Sequence, residues 1–500
     1  MASGSGSAKA IGIDLPMAIA SRSWPRHADL EGDDVHANVY SNSKKYFGWD
    51  NQCKIDLTKF TTSFQLREKY GEVFTIYLGT RPVIVVNGYR SVKEIFVDRG
   101  DDFLGRGDMP CFNYYNKEYG LGFESKMEKW RELRNFSVSA MRDFGMGKKT
   151  MEEHVQEEAQ CLVTEFRNTK ESSFDPRQCL NKAQCNIIFT IMFGNRHDYE
   201  DEELHDVLFW IYETFVIASS FWGQLFDMFP QIMRFIPGRH QKIFIYLRKL
   251  LRYVIKRVKM NKKTLDPNNP RDFVDAFLIK MEKEKINPKS EYTLSNLVNS
   301  TLQIFFGGVE TMSTTLTYSL LILLKYPDIL AKVHEEIDQV IGQDRSPKIE
   351  DRNHMPFTEA VIHEIQRFID LLPMSVPRKA TRDIKYRGYS IPKHTNVFPM
   401  LTSVLKDPTC FPYPNEFNPK NFLDENGEFK KNDAFIPLAL GKRMCLGKAL
   451  VHVELFIFLI TILQNFNLKS PIALEELDII PSISGLGKFP KPYRISFIPR

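Results

Sequence analysis

Cys445 is the residue best placed for chemistry. It stands in the run Phe435-Ile436-Pro437-Leu438-Ala439-Leu440-Gly441-Lys442-Arg443-Met444-Cys445-Leu446-Gly447, ahead of residues 449–466, which are apolar enough for a buried helix. A cysteine just before a helix faces unpaired N–H groups and the positive end of the helix dipole, and both favour a thiolate. A thiolate pushes electron density into a haem iron and favours O–O cleavage. Gly441 and Gly447 let the backbone pass close to a flat macrocycle, and Arg443 is within reach of an anionic propionate. Read alone, these residues also fit a structural cysteine beside a glycine turn.

Three further patterns carry polar groups at meaningful spacing. Gly307-Gly308-Val309-Glu310-Thr311 lies within Leu294–Lys325, a run apolar on nearly every side, with Ser295 as cap and Pro327 as stop. Two glycines destabilise a helix by about 1 kcal/mol each, so the pair implies a kink or room for a small ligand, beside an acid and a hydroxyl able to relay protons. The competing reading is a Glu310 paired with a base and a Thr311 bonded to the preceding turn. Glu364 and Arg367 share one helix face and can pair. Trp130 and Arg134, one turn apart, present an indole N–H and a guanidinium that suit a carboxylate; a half-buried tryptophan beside a solvated arginine fits equally.

The order of these segments resembles the cytochromes P450. The loop matches F-x-x-G-x-R-x-C-x-G at Gly441, Arg443, Cys445 and Gly447, with Leu438 where that family usually has Phe. The resemblance implies haem b ligated by Cys445, with Trp130, Arg134, Arg443, Arg378 and Arg106 around its propionates. It makes Gly-x-Glu-Thr the oxygen-activating motif, Thr311 holding the hydrogen-bond network of bound dioxygen and Glu310 feeding it protons. Met312 replaces a usual small hydroxyl residue. Glu364 and Arg367 become a buried brace behind the cysteine loop, with Asn421 as a neutral third member where the family has His or Arg. From about Lys54 to Arg500 the chain is similar to the vertebrate microsomal P450s of family 2.

The expected fold class is accordingly mainly α with a small β-rich region, the P450 fold. The expected reaction is NADPH-dependent monooxygenation of a lipophilic substrate (fatty acid, steroid or xenobiotic) with O2. The resemblance further implies NADPH–cytochrome P450 reductase as electron donor, docking on Lys430, Lys431, Lys442 and Lys448, with cytochrome b5 as a second partner. It implies the cytosolic face of the endoplasmic reticulum membrane. Two other readings fit the same residues: a haem-thiolate isomerase or dehydratase, and a silent relative that holds little haem.

Composition agrees with a large globular enzyme. The 500 residues are 43% apolar and 26% charged, with a net charge of +5. That balance does not imply nucleic acid. Seven scattered cysteines, none in a C-x-x-C pair, argue against a disulfide framework and a zinc site. No linker or repeat divides the chain after its start. Residues 1–53 read as an atypical flexible leader without the apolar run of ~20 residues that spans a bilayer, and 54–500 as one haem domain.

Among the elements that must position these residues, 74–86 read as a hairpin broken at Gly79-Thr80-Arg81-Pro82, and 91–99 as a helix. Residues 103–107 form a turn exposing Arg106, and 151–192 are helical. The stretch 204–235 is rich in rings, half of them core and half free to meet substrate or membrane. Residues 256–263 read as a solvated basic face. Helices follow at 327–341 and 358–370, then an apolar wall at 371–377. A hairpin is expected at 386–397, and a tight turn at 484–487.

Overall fold

The computed structural model describes residues 66–116, 119–144 and 149–500. The expected leader lies outside the described residues. The helices of eleven residues or more are α1 (Met127–Asp143), α2 (Lys149–Asn168), α3 (Arg177–Phe193), α4 (Glu202–Ser219), α5 (Gln241–Lys263), α6 (Phe273–Lys283), α7 (Leu294–Lys325), α8 (Pro327–Val340), α9 (Pro356–Ile369) and α10 (Lys448–Asn465). With only short strands beside them, the fold is mainly α, as expected.

The punctuation of the sequence sets most helix ends. Pro327 opens α8, and Gly342, at φ +73°, returns its N–H to the Ile337 carbonyl. The cap of α7 is Thr293 and not Ser295: Thr293 is extended, and its Oγ1 accepts from the Asn296 N–H at 3.2 Å. The helical stretch 151–192 divides into α2 and α3. Residues 91–99 divide too, into a short α-helix, Tyr89–Lys93, and a π-helical turn, Glu94–Asp98. The basic end of α5 is only partly solvated. Arg257 and Asn261 are buried there, and the Arg257 guanidinium lies 5.0 Å from the centroid of the Phe193 ring.

The main sheet has the order β1 (Val73–Leu78), β2 (Arg81–Val86), β7 (Asn396–Pro399), β4 (Arg378–Lys379), β3 (Gly105–Arg106). The first hairpin turns at Gly79-Thr80, so Arg81 and Pro82 belong to β2. The hairpin expected at 386–397 is shorter, joining β5 (Ile384–Tyr386) to β6 (Tyr389–Ile391); Asn396 onward leaves it to pair parallel with β2. Arg106 sits in β3, half-buried, and not on an exposed turn. Two small pairs complete the set: β8 (Phe466–Lys469) with β11 (Ser496–Pro499), and β9 (Ile483–Ser484) with β10 (Lys488–Phe489).

Two apolar cores result. α7 runs through the larger, packed against α3, α5, α9 and α10. The smaller lies between the main sheet and residues 401–436. The Cys445 loop joins them: Leu438 and Leu446 pack on the first core, Phe435, Ile436 and Leu440 on the second. Among the described residues α10 is the helix long and apolar enough to cross a membrane, and 72% of that window is buried inside the protein.

Candidate functional site

The cysteine loop is held by its own backbone. The Cys445 N–H donates to the Leu438 carbonyl at 3.0 Å and the Met444 N–H to Gly441 at 3.0 Å. Gly441 is required here, at φ +75°, because a Cβ would lie 2.0 Å from the Phe96 carbonyl oxygen. Its freedom therefore serves contact with the π-helical turn. A Cβ on Gly447 would meet nothing within 4 Å, which suits the close approach of a flat group. Burial pushes the half-buried Cys445 thiol above its ordinary value, against the pull of the Gly447 N–H and Arg134. The helix start alone does not give a thiolate; burial outweighs it, and a cation on the sulfur would reverse that balance.

Four guanidiniums gather beside the loop. Arg106 and Arg378 face each other across the antiparallel pair β3–β4, an arrangement that like charges normally destabilise. Arg134 comes from α1, where its Nη2 donates to the Met444 carbonyl at 3.0 Å. Arg443 comes from the loop itself. Burial lowers all four, and neighbouring guanidiniums add to it for three: Arg106 falls to about 10, and Arg378 and Arg443 fall well below the usual arginine value, while Arg134 is lowered by burial against the pull of Cys445. Among the described residues none of the four is paired with a carboxylate.

Their hydrogen bonding separates them. Arg443 donates to the Leu104 and Leu121 carbonyls at 3.0 and 3.4 Å and to that of Glu124, and stacks 4.1 Å from the Trp130 centroid. It therefore staples residues 104–124 to the loop more than it offers free N–H groups. Arg106 gives Nε to the Gly122 carbonyl at 2.6 Å. Arg378 is only 3% exposed, makes no side-chain hydrogen bond among the described residues, and has a buried Nε without an acceptor. A buried cation in that condition is costly. A dianionic group would relieve both the orphan donor and the clustered charge, so the residues present fit haem, with Cys445 as the sulfur donor and Arg378 as the freest anion anchor.

On α7 the two glycines have different surroundings. A Cβ on Gly308 would lie 2.5 Å from Ile188 Cδ1, so Gly308 lets α3 and α7 approach. A Cβ on Gly307 would meet nothing within 4 Å. The helix is continuous through both, so the pair provides packing and space without interrupting it. The Thr311 hydroxyl donates to the Gly307 carbonyl at 2.6 Å, a bond back to the preceding turn. Among the described residues Glu310 has no ion-pair partner, and Arg177 lowers its carboxyl less than burial raises it. It is 2% exposed, accepts from the Thr314 hydroxyl at 3.0 Å, and burial raises its carboxyl to about 7. No hydrogen bond joins the Glu310 and Thr311 side chains.

Three phenylalanine rings cluster with Phe306, next to Gly307. Phe306 lies 5.1 Å from Phe215 and 5.9 Å from Phe112, which stacks at 5.9 Å on Phe123. Sequence reading missed Phe112 and Phe123; their short segment shows no periodicity. The tight turn packs close by, the Gly487 N–H donating to the Ser219 hydroxyl at 3.1 Å.

Behind the loop, Glu364 and Arg367 form two 2.7 Å bonds and are both fully buried. Arg367 also donates to the carbonyls of Leu405, Tyr413, Pro414 and Glu416. Asn421 gives its Nδ2 to Glu364 at 3.1 Å, the neutral third bond expected.

A comparison with family models matches residues 51–497 to "Cytochrome P450". The chain is 48% identical over 449 residues to cytochrome P450 2G1 of Oryctolagus cuniculus, covering 90% of each chain. It is 49% identical over 441 residues to cytochrome P450 2A11 of Oryctolagus cuniculus and to cytochrome P450 2A5 of Mus musculus, covering 88% of this chain and 89% of each relative.

Proposed function

The chain belongs to the cytochrome P450 family and is a haem-dependent monooxygenase; on that premise we propose that it oxidises compact lipophilic molecules, with electrons delivered from NADPH by a separate reductase. The observation that carries the site assignment is the cluster of Arg106, Arg134, Arg378 and Arg443, four clustered charges without a carboxylate partner among the described residues, beside Cys445. In this reading the haem domain spans 54–500, and Cys445 holds the haem iron. Arg378 takes a propionate through its free N–H groups, aided by Arg106 and Arg134. Arg443 and Trp130 fix the loop that carries Cys445. Bound haem supplies reductive activation of O2, one oxygen atom entering the substrate and the other leaving as water.

The chain's own residues would manage protons and position. Glu310 can hold a proton near neutral pH, because burial raises its carboxyl to about 7. It passes that proton toward Thr311 through water, since the two side chains do not touch. Thr311 Oγ1, tied to the Gly307 carbonyl, turns to hydrogen-bond a small ligand beside Gly307. Phe112, Phe123, Phe215 and Phe306 form an aromatic wall that favours flat, apolar substrates and keeps water out.

The reductase, with cytochrome b5 as a second donor, would dock on the exposed Lys430, Lys431 and Lys448. Lys442 contributes less, because it is paired with Asp101 at 2.6 Å. Exposed Phe221, Ile232 and Phe235 would touch the endoplasmic reticulum membrane from its cytosolic face. The test is reconstitution of the chain with haem, NADPH–cytochrome P450 reductase and lipid. Oxygenated product should form in step with NADPH consumption, and the reduced, CO-bound protein should absorb at the thiolate-haem position. Cys445→Ser should abolish both. Product formed without NADPH would instead favour the isomerase or dehydratase reading.

A further inference from the structure

A recess lies at the C-terminal end of α9, lined by none of the clustered arginines. Phe368, Ile369, Ile479 and Ile480 give it apolar walls, and Lys406 and Lys488 bring two ammonium groups to a cavity of about 190 Å³. The Ile480 side of the rim is 66% exposed, so the recess opens to solvent.

The two lysines differ in charge balance. Lys488 is spoken for, because its Nζ sits 2.6 Å from Asp370, which is 1% exposed. Lys406 has no hydrogen-bond or ion-pair partner for its Nζ among the described residues; that atom lies 4.2 Å from the centroid of the Phe368 ring. Four charged groups act on it: Arg367 and Lys488 are positive, Asp370 and Glu364 negative. These four are already paired with one another as Glu364–Arg367 and Asp370–Lys488, so their charges cancel. The recess therefore carries one uncompensated positive charge whenever Lys406 is protonated; Tyr318, the other titratable group in the lining, stays neutral because burial raises its phenol. Burial, ahead of every neighbouring charge, lowers Lys406 to about 7.

We propose that this recess binds a small organic monoanion, a carboxylate with a short apolar body, its charge on the Lys406 Nζ and its hydrocarbon on Phe368, Ile479 and Ile480. One negative charge neutralises the surplus, where a dianion or a cation would leave the recess charged. The recess carries no nucleophile–base pair, so the inference is of binding alone. It does not depend on the proposed reaction, since none of its lining residues belongs to the cysteine loop or to the arginine cluster.

Octanoate is a suitable probe and octanol its uncharged counterpart. The full haem-bound chain is treated briefly with an acetylating reagent, and modification is read lysine by lysine from peptide masses. Octanoate should slow acetylation of Lys406 about tenfold relative to Lys430, the size expected of one charge-assisted contact, and octanol should not. Calorimetry should show Lys406→Met losing about tenfold in octanoate affinity with an unchanged haem spectrum. In the unaltered chain, affinity should fall between pH 6.5 and 8.5 as Lys406 gives up its proton. Equal protection by octanol, or octanoate affinity that ignores both pH and Lys406→Met, would overturn the proposal; so would protection of other lysines with none at Lys406.

Discussion

Arg367 and Arg378 are both buried guanidiniums, 0% and 3% exposed, and they meet opposite surroundings. Arg367 spends its donors on Glu364 and on four backbone carbonyls, and its carboxylate partner is bonded in turn by Asn421 and the Asn418 N–H. Arg378 faces Arg106 across a strand pair, has two more arginines nearby, and leaves its Nε without an acceptor. A saturated network belongs to the fold, because every polar group already has its partner. An unsaturated cluster of one sign belongs to a ligand, because only a group from outside completes it.

That contrast is broken most readily at the brace. Arg367→Ala leaves Glu364 buried without its partner, and breaking such a pair typically costs about 3–5 kcal/mol. Thermal melting should fall in haem-free and haem-bound preparations alike. Arg378→Met should behave differently. The haem-free protein should keep or gain stability, since a repelled charge is removed, while haem affinity should fall by about 1.5–3 kcal/mol, the range for hydrogen bonds to a charged group. Haem transfer to an acceptor protein would measure the second effect. If the two variants lower haem-free stability equally, the distinction between brace and anchor is lost.

The brace was legible from Glu364-Ile365-Gln366-Arg367 because i and i+3 share a helix face, and Asn421 followed by resemblance. The arginine opposition was less legible. Arg106 and Arg378 lie on two-residue strands far apart in sequence, too short to show an alternation, and the parallel pairing of β2 with β7 leaves no local signal. Boundaries read well where Pro327 or Gly342 punctuates a helix. They failed at Thr293, where the residue before Leu294 competed with Ser295 for the cap. Cys445 was found by the pattern of its loop, yet the sign of its thiol shift was not, because burial is a tertiary quantity that spacing does not contain.

Glu310 carries the same distinction into α7, where a carboxyl is bonded by one hydroxyl and otherwise enclosed. Its folded pKa, about 7, lies above the ordinary carboxylate value of 4.5. The folded protein therefore holds a proton that the unfolded chain has released, and stability falls as pH rises from about 4.5 to about 7. The shift sets an upper limit of about 3 kcal/mol, which water penetration reduces to about 1–2 kcal/mol. Glu310→Gln should flatten the melting temperature between pH 5 and 8. It should also lower product formed per NADPH consumed, if the carboxyl supplies protons. A flattened melting profile with full coupling would leave Glu310 a structural acid.

The adjacent glycines should separate in the same way, with Gly307 giving the smallest effect. Gly308→Ala drives a methyl against Ile188 Cδ1 at 2.5 Å, so α3 and α7 must part or Ile188 must change rotamer, at a cost of about 1–3 kcal/mol. Gly307→Ala meets no atom and removes the helix penalty of glycine, so the haem-free protein should gain up to ~1 kcal/mol. The same methyl stands beside the carbonyl that accepts from Thr311, so substrates that approach this turn should bind more weakly, with bulky ones affected before small ones. Opposite shifts in melting temperature would show one glycine filled by the protein and its neighbour held open for a ligand. Equal losses would mean that the pair serves helix packing throughout, and that the space beside Gly307 is incidental.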